Sequence, residues 1–232
     1  MTEPDRAEAA RYSRPLMAAR WMRSIVRVAV ALAIVAAIAG QMQNLADGDR
    51  LIVDNFFSFF TIQSNVLGCL VLLGLEMPRT TLLGRFARWV RGATTLYMTM
   101  TGIIYALLLG PIAADVSTQL DWVNVILHVV APVVVLVDWI TAPPSRRPTP
   151  AHAAWWLVFP GAWLVYSFVR GELIGWYPYP FLDPRPETPH AAGSWTVVAV
   201  TLGVLTVGVG VLALLVRLLV SMRGVGAHQR DL

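Results

Sequence analysis

Two side chains of this sequence, Thr61 and His128, are of types that do chemistry together. Thr61 sits in FFSFFTIQSNVLGCLVLLGL and His128 in DWVNVILHVVAPVVVLVDWI, both otherwise strongly apolar. A hydroxyl is a poor nucleophile until a neighbouring base takes its proton, and imidazole is the usual base. Each lies seven residues beyond an acidic residue that opens its stretch, Asp54 and Asp121. On helices that is a depth of roughly 10 Å, at about 1.5 Å per residue. The other histidines, His152, His190 and His228, fall at loops or in the tail.

Other polar groups gather near that level. On a helix Ser58, Thr61, Ser64, Asn65 and Gly68 share one face, with Phe56, Phe59, Phe60 and Val66 pointing largely elsewhere. Asn124 stands one turn before His128, and Thr101, Tyr105, Tyr166, Ser167 and Arg170 are expected at similar depth. Asp138 lies lower, where it can reach interface water. Each has a plainer reading: a threonine that bonds back to its own helix, Ser64 and Asn65 as interhelical glue, and a histidine that packs, relays protons or binds a ligand. Haem held by two intramembrane histidines lacks its second histidine, and a metal site lacks a ligand set, so no cofactor and no metal are expected.

The elements that must position these residues follow from composition. In 232 residues, 56% are hydrophobic and 14% charged, where soluble domains carry about 25% charged residues. Six membrane spans are predicted: Trp21 to Met42, Val53 to Leu75, Trp89 to Leu109, Asp121 to Thr141, Ala153 to Arg170, and Ser194 to Leu219. The fold expected is all-α, a polytopic six-helix transmembrane bundle. It divides into an N-terminal tail, 1–20, a membrane domain, 21–219, and a C-terminal tail, 220–232.

Arginine marks the cytoplasmic side. Arg11, Arg14, Arg20 and Arg23 precede the first span, Arg79, Arg85, Arg88 and Arg91 join the second to the third, Arg146 and Arg147 join the fourth to the fifth, and Arg223 and Arg230 end the chain. The alternate connections are acidic, with Asp47, Asp49 and Asp54, then Asp115, then Glu172, Asp183 and Glu187. Both termini are therefore expected in the cytoplasm, in the cell membrane. The basic charge belongs to this asymmetry and to anionic lipid, not to nucleic acid.

The leader MTEPDRAEAARYSRPLMAAR lacks the apolar core and cleavage site of a signal peptide and reads as a retained, disordered tail. The lone Cys69 excludes an internal disulfide, and the absence of lysine excludes Schiff-base chemistry and a P-loop. The outer loop GWYPYPFLDPRPETPH, 175 to 190, has five prolines and four aromatics. It reads either as an interfacial loop with Trp176, Tyr177 and Tyr179 at headgroup level, or as a rigid lid over the outer half of the bundle. Thr206 and Gly210, at small-xxx-small spacing in the last span, suit close helix contact, read as packing within the chain ahead of a dimer face.

FFTIQSN at 59 to 65, followed two spans later by NVILH at 124 to 128, Pro132 and Asp138, resembles the androgen-induced and androgen-dependent TFPI-regulating membrane proteins. That six-span family hydrolyses fatty acid esters of hydroxy fatty acids with a threonine nucleophile and a histidine. The resemblance covers mainly the second and fourth spans. It implies Thr61 as nucleophile, His128 as base and a membrane lipid as substrate. Animal members place an asparagine nearer the threonine and a second histidine after the asparagine of the fourth span. Here Ser64 and Val125 stand in those neighbourhoods, which makes Ser64 a rival nucleophile.

An intramembrane lipid ester hydrolase is thus one expectation, with Asn124 fixing the imidazole or donating to the oxyanion and Arg170 holding a distant carboxylate. The other is a non-enzymatic membrane protein, such as a transporter, lipid-binding subunit or assembly partner, whose polar belt is structural. The second and fourth spans show no matching Pro- or Gly-broken centres, which disfavours a transporter.

Overall fold

A computed structural model of the chain describes residues 3–112 and 120–221. Asp115, His228, Arg223, Arg230 and the rest of the tail from 222 lie outside the described residues, as do the side chains of Arg11 and Arg14. The described chain is helical, without strands. Its elements are α1 (Glu3–Asp47), α2 (Val53–Ser58), α3 (Phe60–Glu76), α4 (Leu82–Ile104), α5 (Asp121–Val125), α6 (Ala131–Thr141), α7 (Pro150–Trp156), α8 (Val158–Ile174) and α9 (Trp195–Ser221). A π-helical turn, Tyr105–Leu109, extends α4, and another, Ile126–Val130, joins α5 to α6.

Five helical runs are long and apolar enough to cross a membrane: Met17–Asp47, Leu82–Ile112, Asp121–Thr141, Pro150–Ile174 and Trp195–Val220. The run expected as the second span is different. It is split at Phe59, whose ψ of 129° is extended, leaving the 17-residue apolar helix α3. The leader expected as a disordered tail is instead helical from Glu3, continuous with α1.

The packing follows from where large side chains can be buried. Helix α3 lies against α4 and α1, and α4 against α6. One cluster joins Ile34, Ile62, Leu72, Met98 and Leu127, while a second joins Phe60, Leu96, Tyr97, Trp139, Trp156 and Tyr179. Phe56 and Phe60, expected to point away from the polar stripe, are buried, one in each of these clusters.

The cytoplasmic-side expectations for Asp138 and Arg91 need correction. Asp138 does not sit in interface water. It is 6% exposed, takes Arg27 Nε and a second Arg27 nitrogen on Oδ1, both at 2.8 Å, and takes Arg91 on Oδ2 at 2.7 Å. Arg91 is a buried helix residue rather than a connection charge, and it also donates to the Asp138 carbonyl at 2.8 Å. Arg27 reaches Glu76 at 2.8 Å, so one ionic cluster ties α1, α3, α4 and α6. At Gly210, for which packing within the chain was expected ahead of a dimer face, a Cβ would touch nothing, as at Gly203 and Gly208, so these glycines of α9 make no close helix contact within the chain, and Thr206 is exposed.

Candidate active site

The break at Phe59 explains the polarity of FFSFFTIQSN. Interrupting a helix inside an apolar layer frees backbone groups that must find partners. The carbonyl of Phe57 takes Gln63 Nε2 at 2.8 Å, and that of Ser58 takes Trp163 Nε1 at 2.9 Å. Ser58 Oγ donates back to Asp54 O at 2.6 Å and meets Tyr166 Oη at 2.7 Å. On the other side of the break the freed amide of Thr61 donates to Tyr179 Oη at 3.2 Å. Thr61 thus stands in the first turn of α3, with its amide and its hydroxyl both turned to side chains.

Thr61 Oγ1 lies 3.4 Å from His128 Nε2, and both residues are buried. The direction of this contact can be worked out from the other ring nitrogen. His128 Nδ1 faces the Asn124 carbonyl at 3.3 Å, and a carbonyl only accepts, so Nδ1 carries the proton. Nε2 then presents its lone pair to the Thr61 hydroxyl, as a general base must. The hydroxyl proton being committed to Nε2, Thr61 Oγ1 accepts from Tyr179 Oη, 3.2 Å away. The donors run in one direction from Thr61 N–H through Tyr179 and Thr61 Oγ1 to His128 and the backbone of α5.

The imidazole is fixed from several sides. Tyr105 stacks on it with ring centroids 3.9 Å apart and planes 22° apart. Tyr105 and His128 both belong to π-helical turns, a local widening that often accompanies functional sites. Pro132 lacks an N–H, so a carbonyl in the turn before it is released, and Leu127 O accepts Asn65 Nδ2 at 3.2 Å. Gly102 lets α4 approach: a Cβ there would lie 2.9 Å from the His128 carbonyl.

Of the other expected site residues, Asn65 also donates to Thr61 O at 2.9 Å and so links α3 to the histidine turn. Ser64 is turned toward α4, with Oγ 3.0 Å from Thr101 Oγ1 and 3.1 Å from Thr61 O. Ser167 bonds back to Trp163 O at 2.9 Å. Asn124 acts through its main chain; its side-chain oxygen is buried without a partner and does not touch the imidazole. Arg170 donates to Asn55 Oδ1 at 2.7 Å and lies over Trp176, 4.8 Å from the ring centroid, which holds it against α2.

Beside Thr61 opens a cavity of about 190 Å³ between α3, α4, α8, α9 and the 175–190 loop. Thr61, Thr101, Tyr105, Tyr179 and Thr206 bring polar side chains to its lining, and the remainder is hydrocarbon and aromatic. Thr61, not His128, is the member of the pair that lines it. Among the described residues no three His, Cys, Asp or Glu side chains gather as metal ligands.

Tyr179 was missed as a site residue. The sequence reading placed its loop either at headgroup level or as a rigid lid; Tyr179 is 9% exposed, Tyr177 8%, and Tyr179 reaches Thr61. The signal was the YPYP spacing, in which Pro178 and Pro180 fix the chain on either side of Tyr179. Comparison with protein-family models, with curated proteins and with solved structures gives no match.

Proposed function

We propose that this protein is a membrane-embedded hydrolase of lipid carboxylic esters, with Thr61 as nucleophile and His128 as general base. The observation that carries the reading is the buried Thr61–His128 contact of 3.4 Å beside an apolar cavity into which Thr61, and not its base, faces. The cavity suits an acyl chain, and the hydroxyl on its wall suits the ester carbon at the chain's end. The bundle is read as six crossings, with α2 and α3 together making the second, in a cell membrane with both termini cytoplasmic. The alternation of arginine-rich and acidic connections supports that orientation.

In this mechanism Thr61 Oγ1 attacks the ester carbonyl carbon while its proton moves to His128 Nε2. The carbonyl π pair passes to oxygen, and collapse of the tetrahedral species breaks the bond to the alcohol, which leaves with the proton from Nε2. Water then attacks the acyl-threonine, giving its proton to Nε2. The second collapse releases the fatty acid and returns the proton to Thr61 Oγ1.

The test is covalent labelling of purified protein with a fluorophosphonate, beside release of fatty acid from a lipid ester. Thr61→Ala should lose the label, His128→Ala should slow both readouts by about 10²–10⁴-fold, and Ser64→Ala should keep the label. Labelling that survives Thr61→Ala and disappears with Ser64→Ala would reassign the nucleophile. An unlabelled wild type without ester turnover would support the scaffold reading, which the hydrogen-bonded glue of Ser64, Thr101 and Asn65 already favours for those three residues.

A further inference from the structure

The outer loop contributes a group that the two-residue chemistry does not use. Tyr179 Oη is 3.2 Å from both the amide nitrogen and the hydroxyl oxygen of Thr61. Its ring is wedged by Phe59, at 5.6 Å between centroids, by Trp163 at 5.8 Å, and by Phe181, stacked at 5.3 Å. The loop behind it is knitted shut. Arg185 clasps Asp183 through two hydrogen bonds of 2.8 and 2.6 Å and donates to Gly175 O at 2.6 Å, and Tyr177 Oη donates to Glu172 at 2.6 Å. Gly171 leaves room for the Tyr177 ring, since a Cβ there would come within 2.3 Å of it. A phenol in so constrained a position, on the wall of the cavity and touching the reacting oxygen, is more than an interfacial anchor.

We propose that Tyr179 is a third catalytic residue, whose O–H, together with the Thr61 amide, binds the oxyanion formed when Thr61 attacks an acyl ester. The inference rests on Thr61 being the nucleophile. In the unliganded arrangement the Thr61 amide donates to the phenol oxygen and the phenol O–H is turned to Thr61 Oγ1. When an ester enters, its carbonyl oxygen shares that amide, and the Tyr179 O–H rotates about its C–O bond from Thr61 Oγ1 to the same oxygen, so that the ring stays where it is. As Oγ1 bonds to the carbonyl carbon, the displaced electron pair comes to rest between two donors, and it returns to re-form C=O when the alcohol leaves. The phenol gives up no proton in this cycle. Burial pushes the Tyr179 hydroxyl above the usual phenol range, which keeps it a donor. Donors fixed in advance toward a developing charge are the largest single contribution in many acyl-transfer sites.

The experiment measures hydrolysis of p-nitrophenyl octanoate by the purified full chain in detergent, with kcat and KM separated and thermal unfolding followed alongside, for wild type, Thr61→Ala and Tyr179→Phe. Tyr179→Phe keeps the ring and its packing and should lower kcat by about 10²–10³-fold with little change in KM. If Thr61→Ala is inactive while Tyr179→Phe turns over like wild type, the hydrolase stands and the role given to Tyr179 is wrong. If wild type is no faster than Thr61→Ala, the hydrolase reading itself falls and takes this inference with it. Should Tyr179→Phe unfold, site-specific fluorotyrosine at 179 preserves the shape and changes only the acidity of the phenol. An altered kcat then supports oxyanion donation, and an unaltered one overturns it.

Discussion

At the scale of single residues, Thr61 and His128 stand seven residues beyond Asp54 and Asp121 and meet at 3.4 Å, although that count assumes an unbroken helix and the chain is split at Phe59. What depth does not give is direction around each helix. Asn124 was therefore expected to meet the imidazole with its side chain, when its carbonyl does so instead. Its side-chain oxygen is buried without a partner, an arrangement that costs rather than contributes stability. Asn124→Val should accordingly leave kcat near the wild-type value and the unfolding temperature equal or higher. A side chain that served the oxyanion would cost about 10²–10³-fold in kcat when removed. Gln63 teaches the complementary lesson: a polar residue in an apolar run was there to satisfy the Phe57 carbonyl exposed by a helix break that hydropathy does not register.

At the scale of elements, the run from Val53 to Leu75 carried a helical period throughout, so a continuous span was the natural expectation. The chain departs from it at Phe59 because the freed carbonyls have partners on α3 and α8, and because the freed Thr61 amide has one in the 175–190 loop. Two of those partners, Trp163 and Tyr179, are distant in sequence, which is why local pattern is silent about the break. The π-helical turn around His128 lies where α4 comes close at Gly102. Gly102→Ala would place a methyl group 2.9 Å from the His128 carbonyl, and overpacking of this kind costs typically about 1–3 kcal/mol. The expected outcome is a folded protein whose imidazole is displaced. Fluorophosphonate labelling should slow while cooperative unfolding, followed by heating in detergent, is retained.

At the scale of the whole molecule, composition was enough for an all-helical chain with several apolar helices long enough to cross a bilayer. It was not enough for the ionic cluster, since Arg27, Glu76, Arg91 and Asp138 lie on four different helices and nothing in their spacing announces that they meet. Removing one partner of a buried pair leaves the others uncompensated, at a cost of about 3–5 kcal/mol. Asp138→Asn, which leaves Arg91 without a carboxylate and Arg27 with Glu76 alone, should lower thermal stability by that order and leave the chemistry of Thr61 to whatever fraction remains folded. The last helix shows a different economy. Val198 near its start and Ala213, Val216 and Val220 toward its end are buried, and Trp139 Nε1 donates to Val216 O at 2.8 Å, whereas Leu202, Leu205, Thr206 and Val209 border the void. Seated most deeply at its two extremities, with its middle turns bordering the void, α9 makes the side wall of the chamber, so a change of side-chain bulk at Leu205 or Thr206 would resize the chamber without touching the proline-stiffened roof.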